Sequence, residues 1–218
     1  LIRQRSLAIT EALVARGIEA LVIACNTATA AAASELRARF KIPIVAMEPG
    51  IKPAIGHSRT GRIGVLATEG TLRSQRFAQL VETHAHGVHV ITQPCPGLVE
   101  AIEAGSEARI DPLVRRYTHR LREHGVDVVV LGCTHFPLIR ATIERFLGPD
   151  VVVLDTGAAV ARRLSAILRV MPQPAITTSP GLELWATGCM ASLKHAVSQL
   201  GYRDSQVVKT LCELDTSI

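Results

Sequence analysis

Four short apolar runs punctuate the chain, at residues 20–24, 63–67, 126–131 and 151–154. Runs of this length without polar alternation suit strands buried on both faces of a parallel sheet. Helical patterns lie beside them. Across residues 3–16, Leu7, Ile9, Ala12, Leu13 and Val14 recur at roughly helical spacing, and Gly17 follows where such a helix would stop. The pattern predicts an α/β fold.

Two stretches match each other piece by piece. The first reads Gly17-Ile18-Glu19-Ala20-Leu21-Val22-Ile23-Ala24-Cys25-Asn26-Thr27, and the second Gly125-Val126-Asp127-Val128-Val129-Val130-Leu131-Gly132-Cys133-Thr134-His135. In both, a basic helix ends at glycine, an apolar residue and an acid follow, and a buried strand runs to a cysteine. The match continues to Arg39-Phe40 and Arg145-Phe146, past Pro43 and Pro149, and closes at Glu48-Pro49-Gly50 and Asp155-Thr156-Gly157. A unit used twice predicts two similar lobes of mainly parallel sheet flanked by helices, related by an approximate twofold axis. Ligands of open parallel sheets bind beyond the carboxyl ends of the strands, so both cysteines are expected to face one cleft between the lobes. The proline- and glycine-rich crossings divide the chain into a first lobe (1–50), a second lobe (51–156) and a return to the first lobe (157–218). Glu48 and Asp155, at matched strand ends, are expected to bind backbone amides at the crossings.

Composition narrows the function classes. A net charge of +5 spread along helices beside glutamates, with aromatics at only 3%, argues against a nucleic-acid partner. No uninterrupted apolar stretch is long enough to span a bilayer, and the first residues lack a secretion signal, so no membrane partner and a cytoplasmic location are expected. Five scattered cysteines, none in a C-x-x-C pair, read as reduced thiols. No phosphate-gripping glycine loop or lysine poised for a Schiff base is present, which leaves a mechanism without an organic cofactor standing.

Paired cysteines have a specific use. Removing a proton from one face of a carbon and returning one to the other needs two acid/base groups on opposite sides. Thiols serve if their pKa falls from the ordinary value of about 8.5 toward neutrality. Cys25 and Cys133 each precede a predicted helix, at 28–40 and 138–147, whose free N–H groups would favour the thiolate and could hold a substrate carboxylate. Asn26, Thr27 and Thr134 add short polar groups and His135 a titratable one, although Thr27 and Thr134 could serve only as helix caps. Cys95, between two prolines, is expected in a loop, Cys189 and Cys212 in a C-terminal helical region, and His84, His86 and His89 at a solvated turn.

The segments Ala24-Cys25-Asn26-Thr27-Ala28-Thr29-Ala30 and Leu131-Gly132-Cys133-Thr134-His135-Phe136-Pro137-Leu138 resemble the two catalytic motifs of the glutamate racemases. So do Gly64-Val65-Leu66-Ala67-Thr68-Glu69-Gly70-Thr71 and Gln93-Pro94-Cys95-Pro96. The resemblance implies a cofactor-independent racemase of glutamate that supplies D-glutamate for peptidoglycan. Cys25 would take the α-proton of D-glutamate and Cys133 that of L-glutamate. Asn26, Thr27, Thr71 and Thr134 would hold the substrate, and His135 would support Cys133. His135 stands where the related aspartate racemases usually carry glutamate, which favours the glutamate enzyme.

Several alternatives stay open at this point. The substrate could be aspartate or another acidic amino acid. The chain could be a non-catalytic paralogue that binds a protein partner such as DNA gyrase, or Cys25, Cys133 and His135 could hold zinc. A homodimer is open too. The repeat also raises an expectation about extent: the second unit has a strand–helix–strand lead-in across residues 61–92, and the first has none. On that reading the chain is a fragment lacking the Asp-Ser-Gly and Pro-Tyr-Gly segments of the resembling family, inactive and poorly stable alone.

Overall fold

The computed structural model describes residues 1–171, 183–188, 193, 197 and 207–210. Helix α1 (Ile2–Val14) leads through Gly17 to strand β1 (Leu21–Ile23), α2 (Asn26–Arg39) and β2 (Ile44–Ala46). Then come α3 (Ile51–His57), β3 (Arg62–Ala67), α4 (Glu69–Leu72), α5 (Gln75–His84), β4 (His89–Pro94), α6 (Leu98–Glu103) and α7 (Glu107–Glu123). Strand β5 (Val128–Leu131), a 3-10 turn (Phe136–Ile139), α8 (Arg140–Leu147), β6 (Val152–Leu154) and α9 (Gly157–Leu168) follow.

The repeat is a repeat in space. β1 pairs with β2 in parallel, Leu21 opposite Ile44 and Ile23 opposite Ala46, and β5 pairs with β6 in parallel, Val128 opposite Val152 and Val130 opposite Leu154. Gly17 and Gly125 open the two units at φ +81° and +64°, a conformation that L-residues with a Cβ avoid. The second unit sits in a four-stranded parallel sheet of order β4-β3-β5-β6, and the first in the two-stranded sheet β1-β2. The parallel α/β architecture expected from the apolar runs is therefore present.

The two central strands of the larger sheet, β3 and β5, are buried on both faces, which is why Ile63–Ala67 and Val128–Leu131 carry no polar side chain. Ile63, Val65, Val128 and Val130 pack with Ile51, Ala54 and Phe77 of α3 and α5. Leu66, Val129 and Leu131 face the other way, onto Leu98, Val114, Leu121 and Ile143 of α6, α7 and α8. The smaller core is Ile23, Ala32, Ala33 and Leu36, with Leu7 of α1 against it; alanines at 32 and 33 let α2 approach the strands closely. Helix α9 packs on β2.

The C-terminal region, expected to be helical, is helical at Leu193 and Val197 but also contains strands. It holds two parallel strands, β7 (Glu183–Ala186) paired with β8 (Val207–Thr210), and the Arg16 guanidinium lies 4.6 Å from the Trp185 ring. Their apolar runs are too short and too interrupted to be told from helix by periodicity. Cys189 and Cys212 lie outside the described residues. Among the described residues no helix is long and apolar enough to cross a membrane.

Candidate active site

Each cysteine leaves the carboxyl end of its strand, but the turns that follow differ. Cys25 is the N-cap of α2, its sulfur accepting from the Ala28 N–H at 3.5 Å, and it is exposed. Cys133 is buried, and the chain after it forms a 3-10 turn before α8 begins at Arg140. The predicted helix at 138–147 therefore starts later than its counterpart. Pro137 near the start of that turn cannot donate an N–H, which separates the thiol from the α-helix proper.

This difference corrects the expectation of two thiols lowered by helix ends. Burial pushes the Cys133 thiol up. N–H groups of His135 and Phe136 pull it back only in part, and the charge of Cys25 raises it further.

Gly132 sets the position of Cys133. A Cβ there would lie 2.9 Å from the Ala67 Cβ and 3.0 Å from the Leu66 carbonyl, so only glycine lets β5 close on β3 at this level. The Gly132 carbonyl accepts from the Asn26 side-chain amide at 2.9 Å. Thus the residue after one cysteine is bonded to the residue before the other.

A second tie joins the start of α2 to α4. The Thr27 hydroxyl lies 2.8 Å from that of Thr68 and 3.0 Å from that of Thr71, and Thr68 and Thr71 are 3.1 Å apart. Thr68 also caps α4, accepting from the Thr71 N–H at 3.2 Å. A ring of three hydroxyls can pass its protons around in either sense and still present a donor or acceptor to a ligand.

His135 places Nδ1 3.9 Å from the Cys133 sulfur, while Nε2 lies 3.0 Å from Glu103. A carboxylate can only accept, so an Nε2–H donates to Glu103 and the ring is held with Nδ1 facing the Cys133 sulfur. Sequence reasoning missed Glu103, because nothing in the helical pattern of α6 distinguishes it from a solvated residue. Thr68 was within the quoted motif, and its spacing from Thr71 is that of a helix cap.

A cavity of about 450 Å³ opens beside Cys133, with Asn26, Thr134 and Thr156 among its walls and Val160 and Leu164 of α9 beyond. Its size suits a small ligand. Asp155, at the same rim, accepts from the Gly157 N–H at 2.9 Å and from Arg140 at 2.5 Å, the amide-binding role expected for it. Glu48, its counterpart, instead pairs with Arg76 at 2.5 Å. A larger groove of about 600 Å³ on α7, near Arg115, His119 and Phe146, contains no thiol and lies away from the repeat. The chemistry belongs with the cysteines. Cys95 is buried at the end of β4, its sulfur donating to the Gln93 carbonyl at 3.4 Å, and burial raises its thiol well above the usual range. No group of three or more His, Cys, Asp or Glu among the described residues is arranged to hold a metal.

These features define a class: an α/β protein built on a repeated β–Cys–α–β unit, with a thiol at each strand end and polar ties between the units. The chain belongs to the Asp/Glu/Hydantoin racemase family, whose profile matches residues 2–164. It is 53% identical over 170 residues to the glutamate racemase of Pseudomonas paraeruginosa, a match covering 77% of this chain and 64% of that one. With the glutamate racemase of Ectopseudomonas mendocina it shares 45% over 209 residues, covering 94% and 80% respectively. The fold superposes on the crystal structure of glutamate racemase RacE1 from Bacillus anthracis with a TM-score of 0.83 at 30% identity, covering 96% of this chain and 80% of that one. The chain thus spans about two thirds to four fifths of these relatives.

Proposed function

We propose that this protein interconverts L- and D-glutamate without metal or organic cofactor, by proton transfer between Cys25 and Cys133. The observation that carries the reading is the equivalence of the two thiols at the ends of matched strands, linked by the Asn26–Gly132 bond. Family membership and the named relatives support glutamate as substrate.

In the D-to-L direction the Cys25 thiolate takes the α-proton of D-glutamate, and the C–H electrons become a carbanion delocalised into the carboxylate. The Cys133 thiol then protonates the opposite face, leaving Cys133 as thiolate and Cys25 as thiol. The reverse direction exchanges the roles. Asn26, Thr27, Thr71 and Thr134 hold the carboxylates and the amine, so that the carbon lies between the sulfurs. His135, oriented by Glu103, accepts the proton of the Cys133 thiol and so makes the thiolate available despite burial. The lobes divide at 1–50 and 51–156, with 157–218 returning to the first. The reaction would take place in the cytoplasm and feed peptidoglycan synthesis.

The test is a circular-dichroism assay of the protein against a panel of L- and D-amino acids. Inversion of both glutamate enantiomers, with aspartate much slower, is expected. Equal turnover of aspartate, or none of glutamate, would overturn the assignment.

A further inference from the structure

Behind the Asn26–Gly132 bond lies a small cavity of about 10 Å³, at the boundary between α2 and α5, with Asn26, Thr71, Arg76 and Glu48 among its lining residues. Two polar atoms here are buried without a protein partner, Asn26 Oδ1 and Arg76 Nε. Their chemistry is complementary. The Gly132 carbonyl can only accept, so the Asn26 nitrogen must face it, and the amide oxygen is left facing elsewhere as an acceptor. Arg76 Nε–H is a donor only. The two would satisfy each other if they met, yet neither has a protein partner within hydrogen-bonding distance. A buried donor and a buried acceptor left unpaired are both unfavourable, so something is expected to stand between them.

We infer that this cavity binds one ordered water, which accepts from Arg76 Nε–H and donates to Asn26 Oδ1. A volume of about 10 Å³ is at the lower end of what one water occupies, and a site with polar partners on two sides is the kind that holds one. A second proton on the water has an acceptor within the lining, in Glu48 or the Thr71 hydroxyl. An ion fits less well, because Arg76 and Glu48 already neutralise each other at 2.5 Å. The result is a relay from Glu48 through Arg76 and the water to Asn26 and the Gly132 carbonyl. Arg76, acting through the water and Asn26, is then a positioning residue. It locks the Asn26 amide in one orientation, between the two cysteines. This role in the reaction rests on the racemase reading above; the water itself does not.

A crystal structure at a resolution that places waters, together with ¹⁷O relaxation dispersion to count long-lived waters, tests the site directly. Density within hydrogen-bonding distance of both Asn26 Oδ1 and Arg76 Nε is expected. So is one fewer long-lived water in Arg76→Met. An empty cavity in the wild type, or an Asn26 amide nitrogen facing it, would overturn the inference. The positioning role is read from Arg76→Met and Arg76→Lys. Lysine keeps a cation for Glu48 but has no Nε–H. Both are expected to lose on the order of tenfold in kcat/KM for glutamate, with Asn26 rotated in their structures. Full activity in Arg76→Lys would assign the effect to the ion pair and remove the water from the relay. Unaltered activity in both would end the positioning role. A wild type with the water and no glutamate turnover would count against the racemase reading and leave the water site standing.

Discussion

Asn26 donates its side-chain amide to the Gly132 carbonyl at 2.9 Å, bridging 106 positions of sequence to join the residue after Cys25 to the residue before Cys133. Asn26 is only 5% exposed, so the bond is made away from water, where a single hydrogen bond contributes most to fixing geometry. The spacing of the two thiols is therefore held by a short, buried connection as well as by the general packing of two sheets.

Replacing Asn26 with alanine leaves the Gly132 carbonyl without this donor and opens space beside it. A loss of roughly 1–3 kcal/mol is expected, seen as a lower thermal midpoint. Asn26→Asp should be worse near neutral pH, because a carboxylate turned toward a carbonyl repels it. Thermal melts of the two variants beside wild type check the order; an aspartate variant as stable as wild type would show that this bond is not formed in solution.

The buried state of Cys133 makes a prediction for pH. Its thiol is raised in the folded protein by burial first, with the Cys25 charge adding to it. A raised pKa means that the folded form holds the proton more tightly than the unfolded one. The associated stability is present below the unfolded thiol value of about 8.5 and is lost as pH climbs through the folded value. Alkylation of Cys133 by iodoacetamide should follow the same curve, with its midpoint alkaline of an ordinary thiol. Mass spectrometry of the labelled peptide reads it. A midpoint below the ordinary thiol value would show that the helix-end picture drawn from sequence was right after all.

Asp127 behaves in the opposite sense. Burial alone would raise its pKa, but the Ser58 hydroxyl at 2.6 Å and the N–H groups of Arg59 and Thr60 at 2.6 and 2.9 Å outweigh it and lower the carboxyl from 3.8 to about 2. The stability it lends is present above the unfolded value of about 3.9 and disappears as pH falls toward 2. Asp127→Asn should lose about 2 kcal/mol at neutral pH, and its stability should vary less than that of wild type between pH 4 and 2. Urea unfolding at several pH values separates this from a general defect, which would lower both ends equally.

Much of this architecture was legible because the chain states it twice. Uninterrupted apolar strands signal a sheet covered on both faces, and the paired Gly17 and Gly125 mark the same turn with the same positive φ. The cysteines, Asn26 and the threonines could be singled out by position in the repeat. What the repeat hides is where its copies diverge. Glu19 is exposed while its counterpart Asp127 is buried and triply bonded, and Pro137 replaces a helix start by a 3-10 turn. Those outcomes depend on which loop packs alongside, and residues 58–60 have no counterpart signal in the first unit. Glu103 and Arg76 act through groups distant in sequence, so local pattern could not reveal them.

The two-thiol reading is tested most sharply by breaking one thiol at a time. Serine is nearly isosteric with cysteine but a far weaker acid, so Cys25→Ser and Cys133→Ser should each abolish net racemisation, which needs both groups in one turnover. Exchange of the α-proton needs only one base. In the Cys133→Ser protein, Cys25 can still remove the α-deuterium of labelled D-glutamate and return a solvent proton to the same face, whereas L-glutamate should keep its label. In Cys25→Ser the preference reverses, with exchange from the L enantiomer slowed by the raised thiol of Cys133 unless His135 takes its proton. His135→Asn should therefore weaken L-side exchange more than D-side exchange, on the order of tenfold or more for loss of a general base. NMR of the α-position resolves all four combinations. Symmetric loss of exchange from both enantiomers in both single mutants would exclude separate bases on opposite faces of the substrate.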